Sequence, residues 1–273
     1  MIAGALEKFT VLPNVQFRKN KHFYIHYDAA YLLMSLALLA TMRLTNFGGL
    51  IEQWDVRYWA LLPLVCYAQI LCSVFIHVCT HKSFPRWCNR LIGELCGVVV
   101  LTRFASWEIV HQRHHQYSDD PDKDPHPIDP RYWPYLFKTI LNVEKQLQRA
   151  YFELYGDTPE NRRFERRRAW FSYVTNIVLI VTWSTFLGPY AFFFLFVPAA
   201  LIGMLHLVHF NWTTHNANQV QGTEFRPINQ DNGIYWLGNR IFFGIYMHQN
   251  HHDRPQVLNP LFMPAPKRAA RAS

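Results

Sequence analysis

The sequence predicts an all-α, multi-pass membrane protein, with four transmembrane helices and a helical cap on the cytoplasmic side. Three observations carry that expectation. From Ala169 to Thr223, 55 consecutive residues contain no Asp, Glu, Lys or Arg, a run far beyond what a soluble domain needs and long enough for two spans. Half of the residues are apolar and 16% are aromatic, which excludes a disordered or fibrous chain. Basic residues and histidines concentrate outside the apolar runs, in segments that an even number of spans places on one side of the membrane.

A spanning helix needs about 20 apolar residues, and four stretches supply them, at approximately 24–44, 58–81, 170–187 and 190–210. The first is centred on Ala29–Met42 between Asp28 and Arg43; it is short and borrows Tyr24–Tyr27 and Leu44 through snorkelling ends. The second, Tyr58–His81, is uncharged between Arg57 and Lys82. The third and fourth come from the long run, parted by a tight turn at Gly188-Pro189. Leu91–Leu101 is apolar but short and holds Glu94, so it reads as an interfacial or re-entrant helix. A single domain covers 1–273, its cap formed by approximately 82–169 and 211–273. The first 25 residues lack the apolar core and cleavage site of a signal peptide.

Loop charges set the orientation. Four Lys and Arg precede the first span, two lie between the first two, fifteen between the second and third, none between the third and fourth, and six follow. The positive-inside rule then puts both termini and the long middle loop in the cytoplasm, at the inner or plasma membrane of a bacterium or the endoplasmic reticulum of a eukaryote. It accounts for the net charge of +8 without nucleic acid as a partner, and leaves the lipid bilayer as the surface that the charge meets. The basic run Arg162–Arg168 reads first as an anchor against anionic headgroups, and second as a docking surface for an acidic donor or carrier protein. The five cysteines form no C-x-x-C pair, which argues against a disulfide framework or a cysteine-ligated metal.

Histidine spacing is the functional signal. His77 and His81 form an H-x-x-x-H at the end of the second span, and His111, His114 and His115 an H-x-x-H-H in the middle loop. Asn211 and His215 form an N-x-x-x-H just past the fourth span, and His248, His251 and His252 a second H-x-x-H-H in the tail. Residues at i, i+3 and i+4 share a helix face, so each box aims its imidazoles at one point, and the topology puts all four boxes on one side. Nine imidazoles exceed what one zinc accepts; two transition-metal ions with four or five nitrogens each use them all. Imidazole suits iron, copper, nickel and zinc alike. A redox-active iron pair beneath a membrane points to oxygen activation against inert hydrocarbon. Asp119, Asp120, Asp122 and Asp124 follow the second box and are candidates to orient imidazoles. His22 and His26 read as interfacial, His206 and His209 as polar packing between helices, and His126 as a loop-ordering residue.

These boxes, Trp107 four residues before the second of them, and the Asp-rich Tyr117–His126 segment resemble the membrane fatty acid desaturase superfamily, especially its stearoyl-CoA (delta-9) branch. The resemblance runs from about Tyr58 to Pro260. It implies one iron held by His77, His81, His111, His115 and His251, and a second by His114, His215, His248 and His252, with Asn211 acting through water. It also implies a mushroom-like four-span fold whose cytoplasmic cap holds the di-iron site, and a kinked tunnel for the acyl chain. Three departures stand out. His77 and His81 are one residue closer than in acyl-CoA members. Ile109-Val110 replaces the Arg-Asp pair that contacts CoA there, and Val208 replaces a tryptophan.

The reading is therefore a non-haem di-iron oxidoreductase with two iron ions as cofactor. It would insert a double bond into a fatty acyl chain presented as a thioester, a lipid-bound chain or a free acid. Electrons would come from a separate donor of ferredoxin or cytochrome b5 type. The same site also suits a hydroxylase, a ketolase or an oxidative fatty acid decarboxylase. A non-catalytic metal-binding protein such as a transporter would want polar residues at mid-membrane depth, whereas these boxes lie at one end.

Overall fold

A computed structural model describes residues 10–216 and 227–263. The extreme N-terminus, the end of the charge-free run and part of the expected 211–273 cap segment lie outside the described residues. Among the described residues there is no strand, only an isolated antiparallel bridge from Asn229 to Met247.

A short helix α1 (Pro13–Phe17) leads into α2 (Phe23–Thr45). A 3-10 turn, Val56–Leu61, runs into α3 (Leu62–Thr80), followed by α4 (Asn89–Val99), α5 (Phe104–Tyr117), α6 (Tyr132–Tyr155) and α7 (Pro159–Leu187). The regular part of the next helix is α8 (Val197–Asn211), preceded by π-helical Phe192–Phe196 and continued by π-helical Trp212–Asn216. Two short helices follow, α9 (Gly233–Ile241) and α10 (His248–Asp253). Four helical stretches are long and apolar enough to cross a membrane: Phe23–Thr45, Val56–Thr80, Pro159–Leu187 and Pro189–His215.

The third span differs from the sequence expectation at its start. It begins at Pro159 rather than near 170, because the Thr158 hydroxyl accepts the Asn161 N–H at 3.2 Å and Pro159 takes the first helical position. The basic run therefore lies on the helix itself. Arg168 is buried against Glu165 and Glu144, while Arg162 pairs with Asp157 at 2.5 Å in the open. At the far end Gly188 sits at φ +80, and a Cβ there would stand 3.1 Å from Gly49 Cα and from the Ile51 carbonyl oxygen. The N–H groups of Gly49 and Ile51 bond the carbonyls of Phe186 and Leu187 at 3.0 and 3.3 Å, satisfying acceptors that a helix end leaves orphaned.

α2 packs along α7, and α3 packs between α4 and α8. Charge inside this packing is paired. Asp28, wholly buried in α2, accepts from Arg103 Nε at 3.0 Å and from the Ser172 hydroxyl, and the Arg103 guanidinium lies 4.3 Å over the Tyr31 ring. Tyr27 and Tyr31 donate to Glu94 at 2.5 and 2.6 Å. Phe23, Tyr24, Tyr27 and Tyr31 from α2 join Phe17, Ala105, Ile109, Leu147 and Tyr151 in one core, which seats α5 and α6 against the first span. On its other side, Gly93 of α4 lets the Phe104 ring approach where a Cβ would meet it at 2.6 Å. These contacts fix α5, and α5 carries the second histidine box.

Candidate metal centre

Each box occupies an element end or a short helix. His77 lies in the last turn of α3 and His81 is its C-cap. His111, His114 and His115 lie on α5, His215 in the π-helical extension of α8, and His248, His251 and His252 on α10. The structure brings nine imidazoles into two groups. His77, His81, His111, His115 and His251 form one, and His114, His215, His248 and His252 the other; within each, one nitrogen per residue lies within 4.8 Å of all the rest. All are buried except His115 and His252, which are half-buried.

The nitrogens face one another closely. Nε2 atoms approach at 2.8 Å between His77 and His251 and between His81 and His111, and at 3.1 and 3.2 Å from His115 to His111 and His251. In the second group His248 Nε2 stands 2.8 Å from His215 Nε2 and 3.1 Å from His252 Nε2. A neutral imidazole has one N–H, and two of these rings have theirs engaged elsewhere. His114 Nδ1 bonds Asp124 at 2.9 Å and His215 Nδ1 bonds Asp119 at 3.0 Å. Their Nε2 atoms therefore carry lone pairs into the group, and His114 Nε2 is buried without any hydrogen-bond partner. Convergent, unprotonated nitrogens repel until a cation sits among them, so the donor set fits two imidazole-bound transition-metal ions.

The rings are held in the form a metal needs. Burial, reinforced by neighbouring imidazoles, pushes His81, His111, His114, His248, His251 and His252 well below the usual histidine range, and His115 to about 4. Neutral imidazole is the ligating form. Asp124 is pushed up to about 8 by burial, against the N–H bonds it accepts from His126 and Asp119; a cation held by His114 favours its carboxylate form.

Two of the four candidate aspartates orient imidazoles and two do not. Asp119 and Asp124 touch the rings, but the Asp120 carboxylate accepts the N–H groups of Asp122 and Lys123 at 2.9 and 3.0 Å, closing a turn. Asp122 offers its backbone carbonyl to Arg149 at 2.5 Å. The physical reason is the backbone. Asp119 at φ +62 reverses the chain after α5, so that 119 and 124 face inward while 120 and 122 line the outer turn. Asn211 is buried one turn before His215, and its amide donates to the Leu207 carbonyl at 2.9 Å, leaving Oδ1 as an acceptor.

His126 is not in either group; its ring lies 4.4 Å from that of His114. His206 pairs with the Tyr246 hydroxyl at 3.2 Å, and His209 stacks on Tyr235. His22 is exposed and packs edge-on against Phe164. Trp107 stacks 5.4 Å from His111 at an interplanar angle of 13°, holding one ring of the first group flat. Sequence reasoning does not find the packing of Phe210 edge-on against His248 at 4.7 Å; its only signal is an apolar residue at the end of the fourth span, just before the asparagine. A cavity of about 500 Å³ has Leu207 and Ile76, the sequence neighbour of His77, among its lining.

Known proteins resemble this chain in sequence. The family model described as fatty acid desaturase matches residues 54–263. The chain is 33% identical over 99 residues to an sn-1 oleoyl-lipid 12-desaturase of Anabaena variabilis, a match covering 33% of this chain and 28% of that protein. An sn-1 oleoyl-lipid 12-desaturase of Arthrospira platensis is 26% identical over 176 residues, 62% of this chain and 38% of that one. A Nostoc protein named sn-1 acyl-lipid omega-3 desaturase (ferredoxin) is 32% identical over 72 residues, 24% of this chain and 20% of that one. These matches span well under half of the relatives' own lengths. None of the three is an acyl-CoA desaturase by name. No solved structure matches the chain.

Proposed function

Since the chain belongs to the fatty acid desaturase family, we propose that it is a membrane di-iron enzyme that inserts a double bond into a fatty acyl chain. The observation that carries this reading is the pair of largely buried imidazole groups, five and four, gathered at the ends of helices next to the spans. We assign His77, His81, His111, His115 and His251 to one iron, and His114, His215, His248 and His252 to the other, with Asn211 acting through a water. Bound iron supplies the activation of O2 against an unactivated C–H bond. In the overall balance one CH2–CH2 unit loses two hydrogens, and O2 with two electrons and two protons leaves as two waters.

The chain's own residues do the rest. Asp119 and Asp124 hold the tautomers of His215 and His114, and Trp107 and Phe210 pack two further rings in place. The 500 Å³ mostly apolar cavity is of the size that small-molecule sites commonly have and gives an acyl chain a place between the spans. Lipid-linked chains are the favoured substrate form, because relatives carry oleoyl-lipid and acyl-lipid names and Ile109-Val110 offers a CoA headgroup no ion pair. Electrons come from a separate ferredoxin or cytochrome b5 type protein. The exposed Arg163, Arg166 and Arg167 give an acidic donor a basic surface. Both termini are cytoplasmic by the charge distribution, and one domain spans 1–273. The test is expression in a host of defined lipids, with gas chromatography of the fatty acids and elemental analysis of the purified protein. New unsaturated chains and two irons per chain are expected. Full activity with zinc alone, or no change in acyl composition, refutes the reading.

A further inference from the structure

We propose that the acyl chain enters sideways from the bilayer, through a cleft between α7 and α8. The inference rests on the reading of the site as one for acyl chains. The two helices are joined by the tight Gly188-Pro189 turn, and Trp183 stacks on Phe196 at 5.0 Å near it. Beyond Phe196 they part: α7 follows α2 and α8 follows α3. Helices joined so closely normally pack along their length, yet here the gap between them is the 500 Å³ cavity.

The cavity's walls say where it opens. Ile180 of α7 and Leu201 of α8 both line it, and both are open to the outside of the spans, 39% and 52% exposed. Its back is closed by Ile76 of α3 and by Leu101, held there because Gln69 Nε2 bonds the Val99 carbonyl at 3.0 Å and Trp183 Nε1 bonds the Val98 carbonyl at 3.0 Å. The lining follows α8 and the π-helical turn before it from Phe192 to Leu207, about 22 Å of helix, which is most of a hydrocarbon core roughly 30 Å thick. It ends at Ile76, next to His77, and at Leu207, whose carbonyl holds Asn211. The chain's length therefore lies along the spans, as it does in a bilayer lipid, and points toward the histidine boxes at one end.

Charge decides which donor of acyl chains fits this route. No Asp, Glu, Lys or Arg occurs from Ala169 to Thr223, so the mouth has nothing to receive phosphates, and dragging a CoA through it would strand charge in hydrocarbon. A lipid whose headgroup stays at the interface needs no such partner. The occupant is the acyl chain of a membrane lipid, and Ile180 and Leu201 are the residues that admit it.

The test uses the full chain in vesicles of phosphatidylcholine bearing a diazirine on the acyl chain. After photolysis, cross-links are mapped by mass spectrometry, and desaturation of the same lipid is compared with that of the matched acyl-CoA and free acid. Cross-links are expected on the cavity faces of α7 and α8. Ile180→Trp/Leu201→Trp should lower them at least tenfold, with turnover of the vesicle lipid falling alongside, while Leu33→Trp on α2, 67% exposed and away from the cavity, keeps both. Ile180→Ala/Leu201→Ala, which widens the mouth, should cross-link at least as fast as wild type and serves if the bulky pair does not fold. Cavity cross-links undiminished by the tryptophans, or cross-links confined to α6 and α9, overturn the proposal. Wild-type protein that cross-links in the cavity but desaturates no acyl form overturns the proposed function and leaves the cleft standing.

Discussion

Asp119→Asn isolates what a carboxylate adds to an imidazole of the proposed metal site. Asp119 Oδ1 accepts the Nδ1–H of His215 at 3.0 Å, and the aspartate itself is buried at φ +62. Asparagine tolerates that left-handed conformation where alanine is strained, and its Oδ1 can still accept the same hydrogen bond. The substitution therefore removes charge and little else. Carboxylates that orient metal-bound histidines are worth roughly 10–100-fold in metal affinity, about 1.4–2.7 kcal/mol. Only one of the two metals should feel it, because His215 belongs to the four-imidazole group and Asp119 touches none of the other five. The assay is iron loading against a competing chelator, in detergent, on protein of unchanged thermal stability. One metal equivalent should weaken by that factor while the second holds. Asp120→Asn, a change in the outer turn, should alter neither. Equal affinity for both metals in Asp119→Asn, within twofold of wild type, refutes the claim that the Asp119–His215 bond tunes the site.

Other perturbations have equally definite outcomes. His114→Ala should abolish turnover and lower iron to one equivalent without loss from the membrane, whereas His22→Ala should retain most activity; equal losses would mean folding histidines have been mistaken for ligands. Arg103→Ala leaves Asp28 buried with only a hydroxyl partner and should cost about 3–5 kcal/mol, read from denaturation in mixed micelles; a loss under about 1 kcal/mol contradicts the buried pairing. Burial holds the Glu108 carboxyl up at about 8, so its folded pKa lies above its unfolded one. Its contribution to stability is then complete below about pH 4.5 and is lost as pH rises through 8. Glu108→Gln should flatten thermal stability between about pH 5 and 9, and an unchanged slope rules the group out. Reporter fusions at the two termini should agree on a cytoplasmic location, and a terminus found outside would separate the histidine boxes.

The four spans were legible because charge-free runs of that length seldom occur outside a membrane, and each box was legible because i, i+3 and i+4 spacing is local. What could not be read lies across the chain. Asp28, Arg103 and Ser172 are separated by 75 and 144 residues, and in the sequence Asp28 was merely the charge bounding a short span. The same holds for the start of α7, where positive charge looked like a loop until Thr158 and Pro159 fixed a helix start. The aspartates show the limit most clearly. Four in six residues cannot be sorted by spacing, because their directions depend on one residue with positive φ.

The positions just before the second box carry the argument about headgroup furthest. Where acyl-CoA desaturases place a charged pair, Ile109 is 4% exposed in the core that joins α1, α2, α5 and α6, and Val110 packs against the same cluster. These side chains do not line a surface from which a contact was deleted; they hold α5, and so three imidazoles, in place. Restoring Arg at 109 would bury a charge among tyrosine and phenylalanine rings, at several kcal/mol. The fold has therefore committed this face to positioning the histidines of the second box. Recognition of a phosphate-rich headgroup would have to be built elsewhere, and the opening between α7 and α8 has no charge with which to build it. Discrimination against CoA and the proposed sideways entry of a bilayer chain would then be two consequences of one arrangement. The helix that holds the second histidine box is anchored by apolar residues, and the proposed entry is lined by residues as apolar as the lipid outside.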